Sequence, residues 1–500
     1  MEVHDLRPLL APLVSFVCAG LVFAAGPRAG WRRFWSFSAA GIKLALVLSM
    51  LPGALQGTVY VAQLVEFTPG VGIAFRADAF GMFFALVSST LWVLTTVYAI
   101  GYMRDSHDQR RFFGFFALCV SSTVGVAFAG DLLTFFLFYE ALTISAYPLV
   151  VHDETPEALR AGRIYLTYTL LGGGFVLVGA VMTLTTAGTL SLAHAGILPE
   201  TASHARLAAI FVALAVGFGV KAAIMPLHAW LPAAMVAPTP VSALLHAVAV
   251  VKVGAFGITR MIYNVFGVDL LSRLGYATPL AWLAGFTIVA ASVLALRADR
   301  LKLRLAYSTV SQLSYIVLAA ALLTPLAATA AILHIANQAF AKITMFFVVG
   351  GIQKTTGWTR ASQLDGLAAR MPLSTAAFAV ASLSFVGVPL FAGFITKWYL
   401  SLGALEAGAW SAVVVMLISS LLNAAYWFPI LHRAYFRGGA PTGSEGPPER
   451  REAPPMLLVP TLICAGYVIA LGSTAELPAM PFAVARAAVE HAFGMPGFGP

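Results

Sequence analysis

The chain has 500 residues, of which 60% are hydrophobic and only 10% are charged. Because soluble globular proteins carry about 25% charged residues, this composition excludes a soluble protein and indicates one that crosses a membrane many times. The formal net charge of +9 does not indicate a nucleic-acid partner, since the positive residues concentrate in loops on one side of the predicted membrane. The three cysteines lie in apolar runs and show neither disulfide nor metal-ligand spacing.

Fourteen segments are candidates for membrane-spanning helices, each of which needs about 20 largely apolar residues. In chain order they are 8–26, 34–52, 79–103, 112–130, 132–151, 164–187, 207–226, 240–265, 279–296, 303–323, 326–352, 372–400, 409–435 and 455–475. The sequence therefore predicts an all-α polytopic membrane protein.

The Lys and Arg residues are distributed unequally between the predicted loops. Loops that follow odd-numbered spans contain nineteen of them, whereas the other loops and the two termini contain six. The positive-inside rule therefore places the odd-numbered loops in the cytoplasm and both termini outside. We expect this orientation in a bacterial inner membrane.

Five lysines, one glutamate and two histidines lie inside the predicted spans, where a charge costs about 3 kcal/mol and usually marks a pathway or a paired group. They are Lys43, Glu140, Lys221, His246, Lys252, His334, Lys342 and Lys397. Glu140 is the one carboxylate well inside a span. An ion pair that locks two helices would explain it, but a lone acid among several lysines favours a site that binds and releases a proton.

Two spans combine a lysine with helix-breaking residues. Pro226 follows Lys221 by five residues, with Pro232 beyond it, and Pro389 precedes Lys397. A proline removes a helical hydrogen bond, and the exposed backbone is tolerated at membrane depth only against protein or water. We therefore expect a hydrated cavity beside each lysine. We expect Lys221 more than one turn inside its span, which disfavours a side chain that reaches the membrane surface.

A polar stripe is predicted on one later span. His334, Gln338 and Lys342 are spaced at i, i+4 and i+8, which places them on one helix face over about 12 Å. A single buried histidine is usually structural, but three polar residues in register favour the lining of a proton relay.

The remaining polar residues have less specific patterns. His246 follows a proline-rich stretch and is a candidate bridge between Lys221 and the centre of the protein. Lys252 fits a tether between helices as well as it fits a relay. For Lys43 we expect snorkelling to the membrane surface or contact with lipid, and for His228 either a gate or a polar position at an interface.

Five long segments of this sequence resemble one family. They are similar to the antiporter-like subunits of respiratory complex I and of Mrp-type cation/proton antiporters, and they read MPLHAWLPAAMVAPTPVSALLHAVAVVKVGAF, FFLFYEALTISAYPLV, DRLKLRLAYSTVSQLSY, HIANQAFAKITMFFVVGGI and LSFVGVPLFAGFITKWYL. The resemblance implies fourteen helices with two inverted five-helix repeats, each with an interrupted helix. The implied units are 1–111 with helices 1–3, 112–265 and 266–437 with the repeats, and 438–500 with a loop and the last helix.

The resemblance also implies a polar axis through the middle of the membrane. By motif match it assigns the fifth-helix glutamate to Glu140, the seventh-helix lysine to Lys221, the eighth-helix histidine to His246, the eleventh-helix polar residues to His334 and Lys342, and the twelfth-helix ionisable residue to Lys397. Some members carry an additional acid in the sixth span, where this chain reads TYTLLGGGFVLVG. The partner of Glu140 is therefore open.

The predicted function is proton translocation within a multisubunit membrane complex. A chain similar to the D-type subunits of Mrp antiporters is favoured, and a proton-pumping M/N-type subunit of complex I or of a related membrane-bound hydrogenase is the alternative. The expected partners are other integral membrane subunits, lipid, protons and, as candidate exchanged ions, Na⁺ or K⁺. No cofactor is expected, since the chain has no dinucleotide, Walker or haem motif, and any redox chemistry would belong to partner subunits.

A proton route follows from these assignments as a hypothesis. A proton enters from the cytoplasm near Lys221 and His246, passes along His334 and Lys342 to Lys397, and leaves outside. Separation of Glu140 from Lys221 would drive proton release. Two other classes stay open: a transporter of a small solute, which needs a pocket at the membrane midplane, and a purely structural subunit, which does not need ionisable groups in several spans.

Overall fold

A computed structural model describes residues 1–26, 28–68, 70–438, 450–474 and 481–495. Twelve of the described helices are long and apolar enough to cross a membrane, which confirms the prediction of an all-α polytopic membrane protein. The two other predicted spans also correspond to helices. One carries Lys302 and Arg304 in its first turn, and the other is divided into two helices of 15 residues each.

The N-terminal part contains a small, unpredicted β-sheet. Its elements are β1 Glu2–His4, α1 Arg7–Ala24, α2 Ala29–Leu55, β2 Val59–Thr68, β3 Val71–Ala77 and α3 Ala79–Tyr102. β1 runs parallel to β2, and β2 pairs antiparallel with β3. The segment VYVAQLVEFT is rich in the β-branched and aromatic residues that favour strands.

The first half of the remaining chain runs from the start of α4 to Phe266. Its elements are α4 Gln109–Ala127, α5 Leu132–Val150, α6 Pro156–Ala187, α7 His204–Lys221, α8 Trp230–Ala233, α9 Thr239–Ala247 and α10 Val250–Arg260, which a π-helical turn Met261–Phe266 continues.

The second half follows without a further sheet in the described residues. Its elements are α11 Val268–Leu274, α12 Ala277–Arg297, α13 Leu301–Ala321, α14 Pro325–Thr356, α15 Leu367–Arg370, α16 Pro372–Val386, α17 Ala392–Glu406, α18 Trp410–Phe436, α19 Pro455–Ser473 and α20 Pro481–Phe493. The predicted unit 438–500 falls partly on residues 439–449, 475–480 and 496–500, which lie outside the described residues.

The two longest described helices, α6 and α14, have matching ends. Each follows a threonine, Thr155 or Thr324, whose hydroxyl accepts a hydrogen bond from the backbone N–H three residues later, at 3.1 and 3.3 Å. Proline occupies the first turn of both, where its missing N–H has no helical partner to lose. Each helix has 32 residues and ends at a glycine, Gly188 or Gly357, in the left-handed conformation that favours glycine.

Helix α14 and the segment Thr239–Phe266 form the centre of the protein, because their most apolar stretches are completely buried. Helices α2, α6 and α18 are peripheral, and two-thirds of their most apolar stretches face outward. Large exposed apolar side chains such as Leu171 on α6 and Leu421 on α18 fit contact with lipid chains or with other membrane subunits. The buried polar residues therefore concentrate on the central helices.

Three breaks divide helices in the interior. Residues 222–229 between α7 and α8 and residues 387–391 between α16 and α17 are not helical, and they contain Pro226 and Pro389. Contrary to the prediction, Pro232 does not interrupt a helix: it lies within α8, in a first turn where proline is tolerated. A third break, at Val248 and Ala249 between α9 and α10, was not predicted because neither residue is a helix breaker.

Candidate functional site

Lys221 lies at the C-terminal end of α7, where the helix stops. Its side chain is completely buried, and its ammonium donates a hydrogen bond to the backbone carbonyl of Tyr139 on α5. The Nζ atom lies 3.3 Å from the centroid of the Tyr139 ring, a cation–π contact. Contrary to the prediction, Lys221 is not more than one turn inside its helix, because the helix ends before Pro226. The side chain nevertheless points into the protein and not to the membrane surface.

Hydrogen bonds from or to side chains stabilise the backbone around the break that follows Lys221. Trp230 Nε1 donates to the Val220 carbonyl at 2.7 Å, and the backbone N–H of Met225 donates to Thr287 Oγ1 at 3.2 Å. The non-helical segment is thus held by side chains, which is the condition for irregular backbone at membrane depth.

Glu140 lies on α5 directly after Tyr139, and its carboxylate packs against Gly173 of α6, where an added Cβ would overlap it. The carboxylate is half-buried, and its Oε1 atom has no hydrogen-bond partner among the described residues. Its charge interacts with that of Lys221, although the two groups form no ion pair within 4.0 Å in the described part of the chain. Gly173 in the sixth span therefore provides the space that Glu140 occupies.

His246 lies in the last turn of α9, just before the unpredicted break. Its side chain is completely buried, and its ring lies 4.9 Å from that of Phe346 on α14. Neither ring nitrogen has a hydrogen-bond partner among the described residues. The electrostatic neighbours of His246 are Lys342 and Lys302, so the histidine stands between the centre and one surface of the protein.

Lys252, His334 and Lys342 lie on the two central elements of the protein. Lys252 on α10 is completely buried and its Nζ has no described hydrogen-bond partner. It interacts electrostatically with both His334 and Lys342 on α14. The His334 ring stacks on Tyr315 of α13 at 5.4 Å. Lys342 donates to Ser308 Oγ, so its ammonium has a neutral acceptor.

The predicted stripe on α14 is present in the structure. His334, Gln338 and Lys342 are all buried on that one helix, and neither the amide oxygen nor the amide nitrogen of Gln338 has a described partner. The adjacent Asn337 has a different contact, because its amide donates to the Ala392 carbonyl at 2.8 Å and to Thr396 Oγ1 at 2.7 Å. Asn337 therefore ties α14 to the start of α17.

Lys397 occupies the second helix break. Its ammonium donates to the carbonyls of Phe385 and Val386 at 2.9 and 2.8 Å and to Ser420 Oγ at 2.7 Å. These carbonyls end α16, and a cation at a helix C-terminus is stabilised by the helix dipole. The charge of Lys397 also acts on His334, so Lys397 joins the central group.

Lys302 is a half-buried residue at the end of the basic loop that precedes the tenth predicted span. It lies in the first turn of α13, and its Nζ donates to the Ala237 carbonyl at 2.9 Å. It lines a cavity of about 550 Å³ that also contains Asp153 and Glu157. No spacing in the basic run 297–304 distinguishes the lysine that turns inward. The cavity wall also contains Arg300 and Arg360, and this side of the protein is called the arginine-rich surface below. Lys302 interacts electrostatically with His246.

Lys43 is not at the lipid surface, contrary to the prediction. It lies near the middle of α2 and is completely buried, with its Nζ 3.6 Å from the centroid of the Trp92 ring on α3. Snorkelling requires an outward-facing side chain near a helix end, and neither condition holds. His228, by contrast, is half-buried beside Tyr307, and its role as a gate or interface residue stays a prediction.

The buried groups form two clusters joined by the central helices. Glu140 and Lys221 form the first, and His246, Lys252, His334, Lys342 and Lys397 form the second. Such groups exchange protons when water connects them, and a buried lysine loses its proton readily. In the described residues, the one group of histidines and acids close enough to share a metal ion lies outside both clusters.

Comparisons with known proteins show which family the sequence matches. Residues 129–423 match the family model described as NADH:quinone oxidoreductase/Mrp antiporter, transmembrane, and residues 68–113 match the model described as NADH-ubiquinone oxidoreductase (complex I), chain 5 N-terminus.

Individual relatives come from both branches of that description. The chain is 36% identical to NADH-quinone oxidoreductase subunit N of Desulforudis audaxviator over 75% of this chain and 77% of the relative. It is 28% identical to the putative antiporter subunit mnhD2 of Staphylococcus aureus over 73% of both. A chain of the Mrp complex from Dietzia sp. has the same fold, with a TM-score of 0.87 and 24% identity over 98% of this chain and all of that chain.

Proposed function

The chain belongs to the NADH:quinone oxidoreductase/Mrp antiporter family of membrane proteins, and from this premise we propose that it moves protons across a membrane as one subunit of a larger complex. The observation that carries the proposal is the set of ionisable side chains buried on the central helices. His246, Lys252 and His334 have no hydrogen-bond partner for their side-chain nitrogens among the described residues. Burying an ionisable group without a counter-charge costs free energy, and such groups therefore usually mark a functional pathway.

The proposed route follows the electrostatic contacts. From the arginine-rich surface, a proton passes from the cavity at Lys302 to His246 and then to Lys342. Lys252 and His334 connect Lys342 to Lys397 at the second helix break. Lys302 thus replaces Lys221 as the residue nearest the entrance, and the pair Glu140 and Lys221 acts as a separate site that controls proton release.

The two inverted repeats remain part of the proposal. Support comes from α6 and α14, which have equal lengths and matching threonine–proline starts and glycine ends. Each is followed by an interrupted helix with a buried lysine, Lys221 or Lys397. The contacts of the two lysines differ in detail, because Lys221 donates to one carbonyl on the neighbouring α5, whereas Lys397 donates to two carbonyls at the end of α16.

We favour a D-type subunit of an Mrp antiporter, which exchanges protons for Na⁺ or K⁺ together with other membrane subunits. The support is the relative mnhD2, which matches over 73% of both chains. The alternative is a proton-pumping subunit of a complex I-type oxidoreductase. It is supported by the 36% identity to an N-type subunit.

The proposed location is the bacterial inner membrane with both termini outside. The support is the excess of Lys and Arg residues in the loops after odd-numbered spans. Under this orientation the cavity at Lys302 opens to the cytoplasm. Reporter fusions at residue 1 and in the loop at residues 104–108 would test it, and the proposal requires opposite sides for the two positions.

Purification of the native complex tests the proposed function. The complex is extracted in mild detergent, its subunits are identified by mass spectrometry, and it is reconstituted in vesicles with a pH-sensitive dye. An imposed Na⁺ or K⁺ gradient is expected to move protons, and the partner subunits are expected to be small membrane proteins. Co-purified iron–sulfur or flavin subunits together with no cation-driven proton movement would support the alternative.

A further inference from the structure

Two histidines and an aspartate meet at the arginine-rich surface, outside the proposed proton route. His107 lies between α3 and α4, and His152 and Asp153 lie between α5 and α6. The two imidazole rings are nearly parallel, with centroids 4.7 Å apart. One side-chain donor atom from each of the three residues lies within 4.8 Å of the others. The cluster thus joins two turns that are 45 residues apart in the chain.

His152 is the unusual member of this cluster. Its side chain is completely buried, yet neither of its ring nitrogens has a hydrogen-bond partner among the described residues. A buried polar group normally has a partner. His107 holds its position by donating from Nε2 to the His152 carbonyl at 3.0 Å, which leaves the Nδ1 lone pair of His107 free.

The charge around the cluster permits a cation. The arginine that acts on His152 is Arg111, which donates to the His152 carbonyl at 2.8 Å. Its guanidinium is paired with the carboxylates of Glu154 and Asp108, so its positive charge is offset. The carboxylate of Asp153 remains available as a ligand.

We propose that His107, His152 and Asp153 form a binding site for Zn²⁺ or a similar transition-metal ion, whose occupancy slows proton entry. Two imidazoles and one carboxylate suit zinc and disfavour calcium and magnesium, which prefer oxygen ligands. Ligands about 2.1 Å from a tetrahedral zinc ion lie about 3.4 Å from one another. Rotation of the exposed side chains of His107 and Asp153, with loss of the hydrogen bond from His107 to the His152 carbonyl, would bring the donor atoms to that spacing.

The effect on transport comes through Asp153. This residue lines the cavity that contains Lys302 and interacts electrostatically with that lysine. A bound metal ion would withdraw the negative charge of Asp153 from Lys302 and fix the rim of the cavity. This second part rests on the proposed function, whereas metal binding itself does not.

Zinc titration of the intact complex tests the site. The complex is purified without a polyhistidine tag, and ZnCl₂ binding is measured by calorimetry and by competition with a chromogenic chelator. His107→Ala and Asp153→Asn are each expected to weaken one zinc site by at least about tenfold. His204→Ala, which changes an exposed histidine elsewhere, is the matched control and is expected to bind zinc as the wild type does. Variants of His152 are left out of the test because this side chain is buried, and its replacement would change packing as well as metal binding.

Two results would overturn the inference. Equal zinc stoichiometry and affinity in wild type, His107→Ala and Asp153→Asn would exclude the site. Zinc that binds there without slowing proton uptake, in vesicles that transport protons, would exclude the effect on entry. Absence of proton transport in metal-free wild type would instead count against the proposed function, and the binding measurement would still decide the site.

Discussion

The ammonium of Lys221 lies 3.3 Å from the centroid of the Tyr139 ring and donates to the Tyr139 carbonyl, one residue before Glu140. The lysine is therefore held beside Glu140 by backbone and ring contacts and does not depend on the carboxylate for its position. A change at Glu140 should alter the electrostatic field at Lys221 while leaving the helix break intact. This separation makes the role of the pair testable by small substitutions.

The space that Gly173 provides for Glu140 gives the first prediction. An added methyl group in Gly173→Ala would overlap the carboxylate and displace it relative to Lys221. We expect proton transport to fall by at least about tenfold, because displacements near 1 Å have effects of this size at reacting groups. Proton flux in reconstituted vesicles measures the effect.

Gly174→Ala is the matched control, since an added Cβ there has no atom within 4 Å. It is expected to transport protons as the wild type does. Equal rates in the two alanine variants would show that the position of Glu140 does not matter.

Lys397 gives the second prediction. Lys397→Met leaves the carbonyls of Phe385 and Val386 without their donor, and each unpaired buried group costs about 1–3 kcal/mol. We expect both lower thermal stability and loss of proton transport. Ser420→Ala removes only one of three acceptors of the ammonium and is expected to be milder in both respects. A fully stable Lys397→Met variant would contradict the assigned contacts.

The sequence predicts the spans and two of the helix breaks because hydrophobic length and proline act locally. It does not predict the break at Val248 and Ala249, which tertiary packing imposes on residues without a breaking tendency. The inward turn of Lys302 and the buried face of Lys43 depend on which neighbouring helix each residue meets. Periodicity along one helix does not contain that information. The sheet was not predicted because β1 precedes the first span, β2 and β3 lie between two spans, and all three strands are shorter than the roughly 20 residues of a spanning helix.

A buried ion pair near the opposite surface gives the third prediction. Arg260 donates to both carboxylate oxygens of Asp78 at 2.7 Å, and both side chains are buried. Arg260→Met would leave Asp78 buried without its partner, which costs about 3–5 kcal/mol. We expect a marked fall in the thermal unfolding temperature and partial recovery in the double variant Asp78→Asn/Arg260→Met.

The exposed pair of Arg273 and Glu200 is the control for this experiment. Arg273→Gln is expected to change the unfolding temperature little, because exposed ion pairs contribute little to stability. If Arg260→Met and Arg273→Gln lowered the unfolding temperature equally, the claim that the buried ion pair contributes more to stability than the exposed one would be contradicted.

Asp131, at the start of α5, gives a prediction of pH dependence. Burial raises the pKa of its carboxyl from 3.8 to about 6, against the hydrogen bonds from Thr134 that lower it. The folded protein thus holds this proton more tightly than the unfolded chain does. Its contribution to stability is therefore greatest below pH 4 and is lost as the pH rises through the interval from 3.8 to about 6.

Asp131→Asn removes this titration and keeps an oxygen that accepts from the Thr134 backbone. The difference in unfolding temperature between this variant and the wild type should grow in favour of the variant between pH 4 and pH 7. Thermal unfolding at several pH values measures the difference, and a difference that does not change with pH would show that Asp131 is not buried as described.

The most direct test of the account compares proton flux in the wild-type complex with that in Glu140→Gln, which keeps the shape of the side chain but cannot ionise. Glu406→Gln, at an exposed position, serves as the control. We predict that Glu140→Gln nearly abolishes proton transport while the complex assembles and unfolds at the wild-type temperature, and that Glu406→Gln transports normally. Wild-type proton flux in an assembled Glu140→Gln complex would contradict the claim that the buried ionisable groups of this chain carry protons.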